Sequence, residues 1–132
     1  MKFDIKKTVE YWVEGATYDL ETADALIQTK RYPYALFFGH LALEKILKAL
    51  IVQETHKHAP YTHSLPLLAS KLKISIPEEI KDKLAEFMEF HFESRYPEAE
   101  RIFYKKCTEE FASQKMKEIK EVYQWLVKKL KK

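Results

Sequence analysis

Residues 40–50, HLALEKILKAL, set a histidine, a carboxylate and two ammonium groups into a run otherwise made of leucine, isoleucine and alanine. His40, Glu44 and Lys48 recur every four residues, so on a helix they form one gently drifting polar line. Glu44 precedes Lys48 by one turn, the favourable order for an intrahelical pair, but at a surface such a pair is worth only about 0.2–0.5 kcal/mol. If the line faces water, a solvated helix face explains it. If it faces other helices or a second copy of the chain, its charges need partners, because an unpaired buried charge is costly. Two partners stand out. Asp19 interrupts a mostly apolar row between Trp12 and Leu26, and Arg95 stands just past a later helix. Tyr96, beside Arg95, could stack on a base while the guanidinium grips a phosphate. The plainer alternative is that Arg95 caps a helix or pairs with an acid and Pro97 turns the chain.

Other residue patterns are weaker. His91 and Arg95 lie one helical turn apart, and a base beside a phosphate-binding cation is a reasonable pair for RNA cleavage; a histidine on an apolar helix face is more often a core or interface residue. His56, His58 and His63 could supply three imidazoles to zinc, but no cysteine or acid at compact spacing completes a tetrahedral set. His63 fits better as part of the turn entering a short helix. Gly15 and Gly39 are isolated within helical patterns, so no glycine-rich phosphate loop exists, and any nucleotide would be held by side chains.

The elements that must position these residues follow from periodicity. Val9, Val13, Ala16, Leu20, Ala23 and Ile27 mark one face of a helix from about Asp4 to Lys30. Pro33 interrupts the pattern and biases Tyr32 towards extended backbone. A second helix is predicted from about Tyr34 to Glu54, with two adjacent apolar stripes that make it the central helix. Ser64 caps a short helix from about Leu65 to Lys73, and Pro77 opens another that carries Ile80, Leu84, Phe87 and His91 on one face. It should end before RYPEAE. Thr108 starts a last helix with Ala112, Met116, Ile119, Tyr123, Leu126 and Leu130 as its stripe. The expected fold is all-α, an up-and-down bundle of four main helices plus a short one, in a single domain over residues 1–132.

Composition agrees. The 132 residues are 46% hydrophobic and 14% aromatic, enough for one core, and two glycines are too few for a sandwich or barrel. Lysine and arginine exceed aspartate and glutamate by 23 to 20, a net +3 spread too evenly along the sequence to announce a nucleic-acid surface. A lone Cys107 fits a reducing compartment, and the longest apolar stretch falls short of the ~20 residues that span a bilayer, so a soluble cytoplasmic protein with no membrane association is expected. The broad apolar arc on the second helix and the aromatic YALFF segment lead to the expectation of a homodimer.

The order of features ATYDLETA, RYPYALFFGHLALEKILKALI, YTHSLPLLA and SRYPEAE resembles the HEPN family, named for higher eukaryotes and prokaryotes nucleotide-binding proteins, over nearly the whole chain. The resemblance implies a helical bundle, commonly homodimeric, often paired with a minimal nucleotidyltransferase in toxin–antitoxin-like modules. Many such proteins are metal-independent ribonucleases marked by an arginine, four to six residues, then a histidine. Here the permitted positions after Arg31 are Leu36, Phe37 and Phe38; after Arg95, Glu100, Arg101 and Ile102; after Arg101, Lys106, Cys107 and Thr108. None is histidine. The expected function is therefore a non-nuclease nucleotide-binding or adaptor partner of a nucleotidyltransferase. Its site would draw on Asp19, His40, Glu44, Lys48, Arg95 and Tyr96, with no metal and no cofactor beyond a bound nucleotide or phosphate. The rivals are a ribonuclease with a displaced His/Arg site, which would make RNA a partner, and a pure protein-interaction module.

Overall fold

The computed structural model describes residues 3–91 and 97–131 and, among them, contains only helices: α1 (Ile5–Gln28), α2 (Tyr32–Thr55), α3 (Leu65–Ser70), α4 (Glu78–Glu86), α5 (Pro97–Lys106) and α6 (Glu109–Val127). A 3-10 turn, Phe87–Phe90, prolongs α4 towards His91. Local chemistry sets several ends. Asp4, Ser64 and Thr108 each turn a side-chain oxygen onto a backbone N–H of the first turn, at 3.0, 3.2 and 3.1 Å, which removes one of the donors that a helix start leaves unpaired. After α1 the chain turns through Lys30 at φ 62°, with the Arg31 N–H on the Leu26 carbonyl at 2.8 Å and the Lys30 N–H on that of Ile27 at 3.1 Å. This pairing closes the end of α1 and lets α2 begin at once. Tyr32 is consequently helical rather than extended: Pro33 sits in the first turn of α2, where its missing N–H costs nothing.

Contacts between helices give their directions. Asp19 meets Lys45, and Trp12 meets Lys48, so α1 and α2 run antiparallel. Tyr32 meets Glu109, and Gln53 meets Lys129, so α2 and α6 run parallel. Lys83 and Glu86 meet Glu118 and Lys115 respectively, which makes α4 antiparallel to α6. The main helices thus alternate up and down, as the sequence predicts for an all-α bundle.

Helix α2 occupies the centre. Every residue from Ile46 to Val52 is buried, because α1, α6, α3 and the 3-10 turn surround it. The width of its apolar arc is accounted for inside one chain and needs no second copy to cover it. Gly39 permits the closest approach: a Cβ there would stand 2.8 Å from Ile119 Cδ1 on α6. Phe87, Phe90 and Phe103 fill the other side of the core, with Phe90 and Phe103 rings 5.9 Å apart. Phe103 belongs to α5, a helix the periodicity analysis did not resolve. Pro97 opens it rather than merely turning the chain, Glu98 and Glu100 suit its positive end, and Lys105 and Lys106 its negative end. Among the described residues no helix is long and apolar enough to cross a membrane.

Candidate functional site

The polar line on α2 does not face water. His40, Glu44 and Lys48 are all buried, at 0%, 4% and 6% exposure. Glu44 is their centre: one carboxylate oxygen lies 3.1 Å from Lys48 Nζ, the other 3.0 Å from His63 Nδ1 and 3.7 Å from His40 Nε2. Burial would raise the Glu44 carboxyl, but His40, His63 and Lys48 overrule it and hold the group down at about 2. An ionised carboxylate can only accept, so His63 Nδ1 carries the hydrogen and donates it to Glu44. The other nitrogen of His63 belongs to a half-exposed ring.

Three segments bring these groups together. Helix α2 supplies His40, Glu44 and Lys48. The link into α3 supplies His63, fixed between Thr62, whose hydroxyl accepts the Ser64 N–H at 3.1 Å, and Ser64, which caps α3. The end of the α4 turn supplies buried His91, whose ring stacks on His63 at 4.6 Å and lies 4.9 Å from that of His40. The Leu65 N–H reaches Met88 Sδ at 3.3 Å and ties these last two segments together. Lys48 also sits 5.2 Å over the Trp12 ring, a cation–π contact that leaves its charge in place. Tyr61, fully exposed, lies 6.3 Å from His63 at the rim. His40 Nδ1 has no hydrogen-bond partner among the described residues.

The remaining sequence candidates are placed differently. Asp19 is buried but stands apart, paired with Lys45 Nζ at 2.7 Å. Arg95 and Tyr96 lie outside the described residues. The three histidines weighed for zinc are dispersed: His56 ends α2 in the left-handed region, His58 packs on Phe3, and His63 is on Glu44. Among the described residues no group of three or more histidine, cysteine, aspartate or glutamate side chains is arranged to hold a metal. Cys107 is buried, which with the nearby Glu89 charge pushes its thiol up to about 12, too high for a thiolate nucleophile at neutral pH. Sequence reasoning treated His63 as a turn residue or zinc candidate and His91 as a partner of Arg95. Their meeting around Glu44 spans 19 and 47 residues of chain and has no local spacing that would signal it.

A family model described as the HEPN domain matches residues 9–130. The chain belongs to the HEPN family. The HEPN fold is also that of two solved structures, each 22% identical in sequence. One is the crystal structure of TT1696 from Thermus thermophilus, at a TM-score of 0.78 over 92% of this chain and 98% of that one. The other is ST0689, described as an archaeal HEPN homologue, at 0.73 over 93% and 98%. No curated protein matches significantly. At this identity the likeness speaks for the fold alone.

Proposed function

We propose that this HEPN protein acts by binding rather than by cutting RNA: it holds a nucleotide or phosphate at the open edge of the histidine–Glu44 cluster and serves, as a homodimer, as the partner of a minimal nucleotidyltransferase in a toxin–antitoxin-like module. The observation that carries this is the pairing of Glu44. Its carboxylate is already paired with Lys48 and in contact with His63, so an arriving anion meets no free carboxylate, while the half-exposed His63 ring offers a polar contact and Tyr61 an aromatic face. The ribonuclease spacing from arginine to histidine is missing at Arg31, Arg95 and Arg101 alike.

One observation favours the rival ribonuclease. Glu44 holds the His63 ring through Nδ1 and leaves its second nitrogen on the half-exposed side, the orientation in which an imidazole could exchange a proton with a ligand. The two differ in what the edge does to its ligand. Calorimetric titration with GTP, ATP and inorganic phosphate tests the binding role: saturable binding is expected, weakened about tenfold, or ~1.4 kcal/mol, by His63→Ala and by Tyr61→Ala. Absence of saturation with any of the three, in protein that melts cooperatively, would overturn it.

A further inference from the structure

Lysines that the sequence scatters over both termini and a mid-chain loop converge at one end of the bundle. Two hollows there share Gln53, His56 and Lys131; one extends to Lys73 and Lys129, the other to Lys6 and Glu10. Sharing that wall, they continue one another as a furrow across the start of α1 and the ends of α2 and α6. Its frame is pinned. Gln53 donates to the Lys129 carbonyl at 3.2 Å and accepts the Lys131 N–H at 2.7 Å, while Glu54 accepts the N–H groups of Lys73 and Ile74 at 2.8 and 3.3 Å. The four lysines themselves are exposed.

Elsewhere Lys45, Lys48, Lys81, Lys83, Lys106, Lys115 and Lys120 each meet a carboxylate, and other cations without one among the described residues, such as Lys7, Lys57 and Lys105, line neither hollow; the furrow is set apart by gathering four of them along one groove. Among the described residues Lys6, Lys73, Lys129 and Lys131 meet none; Lys129 lies over the Trp125 ring at 4.7 Å and keeps its charge. Against these four ammonium groups the hollows offer Glu10 and Glu54, and Glu54 is committed to two backbone donors. Positive charge is left facing solvent along a groove, with an amide and an imidazole between.

We infer that this furrow docks the phosphate backbone of a nucleic acid without regard to base sequence. Unpaired ammonium groups strung along a groove match a line of phosphates, and among the described residues the lining holds no Phe, Tyr or Trp on which a base could stack. The same lack argues against an acidic protein, since protein interfaces are anchored by buried aromatic residues. A membrane surface would want an apolar wedge, and the large exposed apolar side chains, such as Tyr11, Tyr18 and Ile102, line neither hollow. Binding here does not depend on a nucleotide at His63.

Anisotropy of a labelled single-stranded RNA of about 20 nucleotides, titrated with the intact protein at rising salt, tests the furrow. Three or four phosphate contacts predict a log–log salt slope of about −2 to −3. Lys6→Glu with Lys131→Glu should weaken binding at least tenfold and flatten that slope by about 1.4. Lys105→Glu with Lys117→Glu, the same charge change on other exposed faces, should leave affinity within about twofold. Circular-dichroism melts check folding, and Lys73→Ala with Lys129→Ala repeats the test should the first pair unfold. Equal weakening by the control pair, no binding at low salt, or tighter binding of polyglutamate or of phosphatidylserine vesicles would each overturn the assignment.

Discussion

Burial alone would lift the Glu44 carboxyl above its ordinary 4.5, yet its contacts with His40, His63 and Lys48 set it at about 2. A carboxyl depressed on folding contributes stability that is complete above its unfolded value and is lost as pH falls towards its folded one. The window here is therefore about pH 4.5 down to 2. The shift corresponds to roughly 3 kcal/mol. Glu118 shares the window: burial opposes its ionisation too, but Lys83, Gln114 and Lys115 bring it to about 2. Glu44→Gln should accordingly flatten the acid limb, measured as unfolding free energy against pH in urea, and Glu118→Gln should flatten it less, because its partners Lys83 and Lys115 are more exposed and their charges more screened. An unchanged acid limb in Glu44→Gln would mean that the cluster does not hold the carboxylate charged. Part of this was legible in advance. The four-residue recurrence of His40, Glu44 and Lys48 marks a polar line, but whether the line is buried depends on what covers α2. His63 and His91 join it only through the tertiary fold, and Asp19, on the facing helix, finds Lys45 instead.

Helices were legible where their signals are local: the capping oxygens of Ser64 and Thr108, the stripe of α1 and the stripe of α6 all reappear in the fold. Pro33 and Pro97 misled because proline reads as an interruption, whereas both lie in the first turn of a helix, where the ring is tolerated. Helix α5 has only Phe103 buried among its residues, too little apolar periodicity to stand out. The central crossing rests on Gly39, whose missing side chain lets Ile119 and Met116 of α6 close on α2. Gly39→Val should cost about 1–3 kcal/mol through overpacking, read as a lowered urea midpoint at constant slope. Gly39→Ala should cost less, because the nearest atom is the tip of a side chain and alanine gains helix propensity over glycine. A valine variant as stable as the parent would show that α2 and α6 pack less closely than described.

For the whole molecule, the apolar arc of α2 is spent inside the chain, so a homodimer must use another surface. Tyr11 and Tyr18 are seven residues apart on α1 and exposed at 68% and 71%, which makes them the candidates. Sedimentation at micromolar concentration should show a dimer that Tyr11→Glu with Tyr18→Glu weakens at least tenfold; a monomeric parent would remove both the dimer and any site composed across it. The role proposed for the protein, binding without cleavage, turns on whether the histidine cluster can move a proton at a scissile phosphate. A positioned acid or base contributes about 10²–10⁴ in rate, so a site lacking the arginine-to-histidine spacing should sit near background rather than be merely slowed. The decisive measurement is cleavage of single-stranded and transfer RNA by the purified protein without metal, beside His63→Ala and His91→Ala. Background-level cleavage, indifferent to both substitutions, is predicted; robust cleavage abolished by either would contradict the proposal and make the Glu44-oriented histidines an active site.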